Sequence, residues 1–164
     1  MRFVRKKTIL GTAVLAALPS IATAQGLVTQ KTISFALADA AAHAALAACE
    51  GMGFKVSAAV VDRGGATVVM LHGDGAGLHT PEGAERKAYT ARTFGGASAD
   101  FVKRMKDRPD TAGSIHYQRV LALPGGLPIK AGNEVVGAIG VSGSPGKDDD
   151  CSQAGINKIA DQLK

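Results

Sequence analysis

The spacing of apolar residues along the chain predicts four helices. Between residues 29 and 49, apolar side chains recur three and four positions apart, as they do on one face of an amphipathic helix. A second segment has Pro81 at its first helical position and Gly95 after its last residue, where helices favour these residues. The three later helices are predicted to cover residues 80–94, 98–107 and 148–163.

Five shorter apolar segments, bounded by glycine-containing turns, are typical of strands. They cover residues 55–62, 66–72, 119–123, 127–132 and 133–143. The first two flank the turn "RGG" and predict a β-hairpin, while "PGG" turns the chain between the third and the fourth. Because such short connections favour antiparallel pairing, we expect an α+β fold whose helices pack on a central antiparallel five-stranded sheet.

The first 24 residues have the features of a secretory signal peptide. Four basic residues precede the apolar run "TILGTAVLAAL", and "ATA" at 22–24 is a small-x-small cleavage sequence. The apolar run is too short to span a bilayer, so no stable membrane insertion is expected. The prediction is a cleaved leader, residues 1–24, and a single domain, residues 25–164, that is periplasmic or secreted.

The formal net charge of +5 says little about nucleic acid, because four of the nineteen Lys and Arg residues lie in the predicted leader. The remaining fifteen face fourteen acidic residues, which leaves the mature chain near +1. The basic residues between 103 and 108 are flanked by Asp100, Asp107 and Asp110, as on a solvated helix face. Nucleic-acid binding needs a basic stripe, so no nucleic-acid partner is expected.

The chain has two cysteines, Cys49 and Cys151, and both follow the predicted leader. In an oxidising compartment such a pair is a disulfide candidate, and the alternative is two independent buried thiols. A bridge would tie the first predicted helix to the last.

The segment "DGAGLHT", residues 74–80, combines glycines, a histidine and a helix start. It lacks the lysine of a phosphate-binding loop, and the hairpin before it argues against a dinucleotide-binding unit. His72 and His79 are seven positions apart, but no HExxH or CxxC motif supports a dedicated zinc site. Thr80 is expected to be the N-cap of the second helix.

Four segments carry a family resemblance. They read "VSAAVVDRGGATVVMLHGDGAGLHT", "AERKAYTARTFG", "PGGLPIKAGNEVVGAIGVSGSPGKDDD" and "CSQAGI". In this order and spacing they resemble the GlcG/HbpS-like haem-binding family, which is related to the C-terminal domain of PduO-type cobalamin adenosyltransferases. The resemblance covers about residues 28–163 and implies a profilin-like layered fold, homo-oligomers and haem as the bound ligand.

The resemblance places the ligand region on "HT" at 79–80 and "ERKAYTA" at 85–91. Thr90 matches a threonine associated with haem contact in this family. Thr80 and Lys87 lie in the same two motifs and are candidate ligand-binding residues with it.

Arg86 lies four positions before Thr90, so the two share one face of the predicted helix. Its guanidinium is suited to a bidentate contact with a haem propionate. The alternative is a salt bridge to Glu82 or Asp62.

The resemblance does not identify the iron ligand. His79 is the candidate on physical grounds, because neutral imidazole is a good iron donor and His79 is the histidine nearest the motif. Alternatively, His79 is a hydrogen-bonding residue at the rim of the pocket. His116 and His43 are weaker candidates for the iron. Gly125, in the "PGG" turn, is suited either to close approach of the backbone to a flat ligand or simply to a hairpin turn.

The sequence therefore favours an exported haem-binding protein, serving haem binding, sensing or storage and linked by its family to haem degradation. One alternative is an enzyme acting on a small organic acid, with His79 as acid–base group and Arg86 as carboxylate clamp. Another is a non-catalytic oligomeric interaction module.

Overall fold

The computed structural model describes residues 26–164, so the predicted leader, residues 1–24, lies outside the described part of the chain. Four helices and four strands follow one another in the order αββααββα. They are α1 (Phe35–Gly51), β1 (Ser57–Asp62), β2 (Thr67–His72), α2 (Thr80–Phe94), α3 (Ser98–Asp107), a 3-10 helix (Pro109–His116), β3 (Gly126–Ala131), β4 (Glu134–Ser142), α4 (Asp148–Ile159) and a 3-10 helix (Ala160–Gln162).

The predicted bounds of α2 and α3 are confirmed, whereas α1 begins later than residue 29. Ser34 is its N-cap, and the Ser34 hydroxyl accepts a hydrogen bond from Leu37 N–H at 3.3 Å. The residue before the cap is already engaged elsewhere, because Ile33 N–H donates to Val136 O at 3.0 Å. Helical spacing alone did not reveal this pairing with β4.

The sheet is antiparallel with the strand order β2-β1-β4-β3. The predicted β1–β2 hairpin is confirmed, and β1 and β4 occupy the centre. Ser57 of β1 pairs with His72 on one side and with Ser142 on the other, which puts three polar residues in one row across the sheet.

The prediction of five strands is wrong, because residues 119–123 do not join the sheet. Arg119 has φ 71°, in the left-handed region, so this segment does not begin extended. Leu121 N–H donates to the Thr90 hydroxyl at 2.8 Å rather than to a neighbouring strand. Side chains of α2 thus make hydrogen bonds to this segment in place of those that a neighbouring strand would have made. The profilin-like character of the fold stays a prediction.

Two helical layers cover the sheet. Alternate β4 residues such as Ile139 and Val141 face the larger core, which α1 and α4 complete with Ala41, Ala45 and Ile159. The other face carries a smaller apolar cluster formed by Val61, Ala88, Ala91 and Ala138, which belongs to α2 and the strands below it. The predicted α+β layering of helices on an antiparallel sheet is confirmed.

A glycine lets α2 lie close to the sheet. A Cβ added to Gly140 of β4 would lie 2.6 Å from the backbone nitrogen of Ala88. Side chains of ordinary size at this position would separate helix and sheet. The glycine and alanine residues of this face thus allow the backbones of α2 and the sheet to pack closely.

The predicted disulfide is present between Cys49 of α1 and Cys151 of α4, with their Cα atoms 5.5 Å apart. It links positions 102 residues apart in the sequence. Within residues 26–164, no helix has the length and apolar character needed to cross a membrane.

Candidate functional site

The start of α2 is organised differently from the sequence prediction. His79 is the N-cap residue and makes no capping bond with its side chain, while Thr80 is the first helical residue. The prediction that Thr80 caps α2 is therefore wrong. Its buried hydroxyl instead donates to Gly77 O at 2.7 Å and so fixes the loop that carries His79.

A row of hydroxyls connects this loop to the sheet. Ser57 Oγ lies 2.7 Å from Thr80 Oγ1 and 2.9 Å from His72 Nδ1. Since the single proton of Thr80 is donated to Gly77 O, Ser57 donates to Thr80 and His72 Nδ1–H donates to Ser57. This arrangement fixes the tautomer of His72, and the role of Ser57 was not predicted from the sequence.

A cavity of 510 Å³ lies beside the α2 start. Its rim includes the exposed His79, and its walls come from the segment before β3, the end of β4 and the start of α4. The lining residues are His79, Lys87, Leu123, Pro124, Ser142, Gly143, Pro145, Gly146, Asp148 and Asp149. Two of the predicted ligand residues, His79 and Lys87, are thus brought to one cavity.

Lys87 is almost fully buried, with 4% of its side chain exposed. Its ammonium donates to Asp148 Oδ2 at 2.6 Å and to Val141 O at 3.1 Å. Asp148 also accepts hydrogen bonds from the backbone N–H and hydroxyl of Ser144. The Lys87 charge is therefore already paired within the cavity wall.

Gly125 lies directly behind this wall. Its N–H donates to Asp149 Oδ1 at 2.8 Å, and its carbonyl accepts from Ser152 Oγ at 2.7 Å. With φ 119° and Asp148 Cβ 2.6 Å from an added Cβ, only glycine fits here without strain. Burial raises the pKa of Asp149 above its ordinary value, against the opposing effect of the Gly125 hydrogen bond.

A smaller cavity of 200 Å³ adjoins the first. It is lined by His79, Glu82, Gly83, Arg86, Leu121, Leu123 and Ser142. His79, Leu123 and Ser142 line both cavities and form the junction between them.

Arg86 and Thr90 share one helix face, as predicted, and both hold the segment that follows the first 3-10 helix. Arg86 donates to Val120 O at 2.8 Å and forms the alternative salt bridge with Glu82, at 2.9 Å. Thr90 donates to Arg86 O and accepts from Leu121 N–H. Thr90 is fully buried and is absent from the lining of both cavities, so it positions their wall from behind.

The weaker histidine candidates lie elsewhere. His43 is exposed on α1 and lies 3.5 Å from Asp39, one turn away. His116 lines a different surface cavity, together with Glu82, Glu85 and Arg119. Among residues 26–164, no group of three or more His, Cys, Asp or Glu side chains is arranged to hold a metal ion.

Comparison with known proteins identifies a family. Residues 33–157 match the family described as "Haem degrading protein HbpS-like". An uncharacterized 15.0 kDa protein from the dhaT-dhaS intergenic region of Citrobacter freundii is 32% identical over 114 residues, which is 68% of this chain and 80% of that protein.

Two solved structures share the fold over most of their length. A double mutant of HbpS from Streptomyces reticuli is 38% identical, with a TM-score of 0.76, over 87% of this chain and 97% of that one. A PduOC:heme complex is 25% identical, with a TM-score of 0.70, over 78% of this chain and 95% of that one.

Proposed function

The chain belongs to the HbpS-like family, and on that premise we propose that it is a haem-binding protein whose ligand lies in the cavity beside the start of α2. The family match and the haem-bound relative support haem as the ligand. The single observation that carries the location is the 510 Å³ cavity, because it lies next to the motif on which the family resemblance places the ligand.

The cavity suits a largely apolar ligand in its volume and its lining. Small-molecule sites usually enclose about 300–1,000 Å³ and combine apolar walls with a few polar groups. Leu123, Pro124 and Pro145 supply apolar walls here, while His79 offers an imidazole at the rim. When bound, haem would supply an iron that takes nitrogen donors such as imidazole.

His79 is the proposed iron ligand. A Cβ added to Gly77 would lie 2.9 Å from His79 Cε1 and 3.1 Å from Nδ1, so this edge of the ring packs against the loop. Nε2 is therefore the nitrogen we assign to the iron. The hydrogen bond from Thr80 to Gly77 O holds that loop and so positions the ring.

The protein is also proposed to be exported to the periplasm or the exterior and to form a homo-oligomer. No nucleic-acid partner and no stable membrane insertion are part of the proposal. The disulfide supports an oxidising compartment, since such bonds are rare in reducing ones. Binding, sensing or storage of haem is the proposed activity. The link to haem degradation rests on the family description, and it is tested by following the bound haem over time with a reductant present.

Hemin titration of the mature chain, residues 25–164, tests the proposal. We expect a saturable shift of the Soret band at micromolar protein concentration. His79→Ala should change the position of the bound band, while His43→Ala, on an exposed face of α1, should leave it unchanged. Absence of any saturable shift in the unmodified protein would contradict haem binding; an unchanged band in His79→Ala would contradict only the ligand assignment.

A further inference from the structure

We propose that the smaller cavity is a carboxylate subsite, in which the Ser142 hydroxyl and the first turn of α2 bind the acidic end of a ligand whose apolar body fills the larger cavity. This inference rests on the proposed function, because it names the chemical class of the ligand in the same site. Haem, with its propionate groups, is one ligand of that class.

Ser142 is a buried polar residue with no hydrogen-bonding partner for its side chain among residues 26–164. It is 7% exposed and lines both cavities. Its neighbours in the polar row, Ser57 and His72, are paired with each other and with Thr80. The Ser142 hydroxyl is not sealed inside the protein but opens onto the two cavities. A ligand group at the junction can therefore supply the hydrogen bond that the protein does not.

The hydroxyl faces the first turn of α2. A Cβ added to Gly83 would lie 2.6 Å from Ser142 Oγ, so the absence of a side chain there keeps the junction open. Two amides of this turn are engaged, because Thr80 N–H donates to Gly77 O and Gly83 N–H donates to His79 O. Pro81 has no N–H, which leaves the amide of Glu82 as the remaining donor of the turn.

Electrostatics favour an anion at this end of the site. The amino end of a 15-residue helix carries partial positive charge, and no side chain caps it. Arg86 also lines this cavity, but its charge is paired with Glu82, which is 70% exposed. Solvent screens this pair, so the helix end is the main source of positive potential here.

The larger cavity has the opposite balance. Asp148 and Asp149 line it against the single ammonium of Lys87, which Asp148 already neutralises. A ligand carboxylate placed there would face carboxylates, whereas an apolar body would face Leu123, Pro124 and Pro145. The two compartments therefore fix the orientation of an amphipathic ligand.

The test compares hemin with hemin dimethyl ester, in which both carboxylates are blocked, by equilibrium titration of the mature protein. Loss of a hydrogen bond to a charged group corresponds to about tenfold in affinity or more. We expect hemin to bind at least about tenfold more tightly than the ester. Ser142→Ala should weaken hemin about tenfold and leave the ester unchanged, while Thr93→Ala, an exposed hydroxyl on α2, should change neither.

Folding of the variant is checked by thermal unfolding. Ser142→Ala removes a hydroxyl that has no protein partner, so its melting temperature should not fall. Equal binding of hemin and its ester to the unmodified protein, or equal weakening of both by Ser142→Ala, would overturn the subsite while haem binding stands.

A second pair of ligands tests the carboxylate subsite independently of haem binding. If hemin does not bind, 2-naphthoate and 2-naphthol are titrated while the backbone amides are followed by NMR. Shifts at Glu82 and Gly83 with naphthoate alone, lost in Ser142→Ala, support the carboxylate subsite. No shift, or the same shift with naphthol, overturns it.

Discussion

The ammonium of Lys87 lies 2.6 Å from Asp148 Oδ2, in a wall where the Lys87 side chain is 4% exposed. This pair links α2 to the start of α4 within the wall of the larger cavity. The family resemblance predicted Lys87 as a ligand-binding residue. Its charge is paired inside the protein, so the structure gives it a role in holding that wall, and its ligand-binding role stays a prediction.

Asp148→Ala should lower the free energy of unfolding strongly, because it leaves the Lys87 charge buried without its partner. Breaking such a pair typically costs about 3–5 kcal/mol. Chemical denaturation measures the loss. Asp150→Ala is the matched control, because Asp150 lies in the same turn of α4 but pairs with Lys147 on the exposed surface. Loss of this exposed pair should leave the unfolding midpoint unchanged. Similar midpoints for the two variants would contradict the structural role of Lys87.

Thr90→Val should destabilise the protein by about 1–3 kcal/mol, because it leaves Leu121 N–H without its acceptor. Thr90→Ser keeps the hydroxyl and should lie close to the unmodified protein in urea denaturation. Since Leu121 lines the smaller cavity, Thr90→Val should also weaken hemin binding. Equal stability of the two variants would show that Thr90 does not hold this segment.

Gly140→Ala should destabilise the fold, because its methyl group would overlap the backbone of α2 at Ala84 and Ala88. Overpacking of this kind typically costs about 1–3 kcal/mol. Gly51→Ala is the control: its added Cβ meets no atom within 4 Å, and its effect should be neutral or slightly stabilising. Thermal unfolding of both variants checks the close approach of α2 to the sheet.

Reduction of the disulfide should lower stability by about 2–4 kcal/mol, because the bridge restrains a long loop of the unfolded chain. The double variant Cys49→Ala, Cys151→Ala should reproduce the effect of a reductant on the unmodified protein and should not respond to the reductant itself. Intact mass under non-reducing conditions should be two hydrogens below the reduced mass; an unchanged mass would mean that no bridge forms.

The variant Asp149→Asn should gain stability relative to the unmodified protein as the pH rises. Burial raises the pKa of Asp149, so the folded state binds its proton more tightly than the unfolded state. The free energy of unfolding therefore falls as the pH rises through the range between the ordinary and the raised pKa. The asparagine oxygen can still accept from Gly125 N–H, without this penalty. Melting temperatures from about pH 3 to about pH 7 should diverge in favour of the variant; a constant difference would refute the raised pKa.

Local signals in the sequence determined most of the secondary structure. Pro81 and Gly95 marked both ends of α2 correctly, and the "RGG" turn identified the β1–β2 hairpin. These features act through backbone conformation at single residues, which the sequence states directly. The pairing of Cys49 with Cys151 was also predictable, because only one intramolecular pair was available.

Tertiary structure decided which segments joined the sheet and which residues met at the site. Residues 119–123 have the apolar pattern of a strand, but backbone groups in this segment form hydrogen bonds with the side chains of Arg86 and Thr90 instead of with a strand. Ser142 faces α2 because β4 alternates and Gly83 leaves room, and Asp148 reaches Lys87 from a helix 61 positions later. Composition and spacing describe neighbours along the chain, whereas hydrogen-bond partners and cavity walls depend on which distant segments the packed layers bring together.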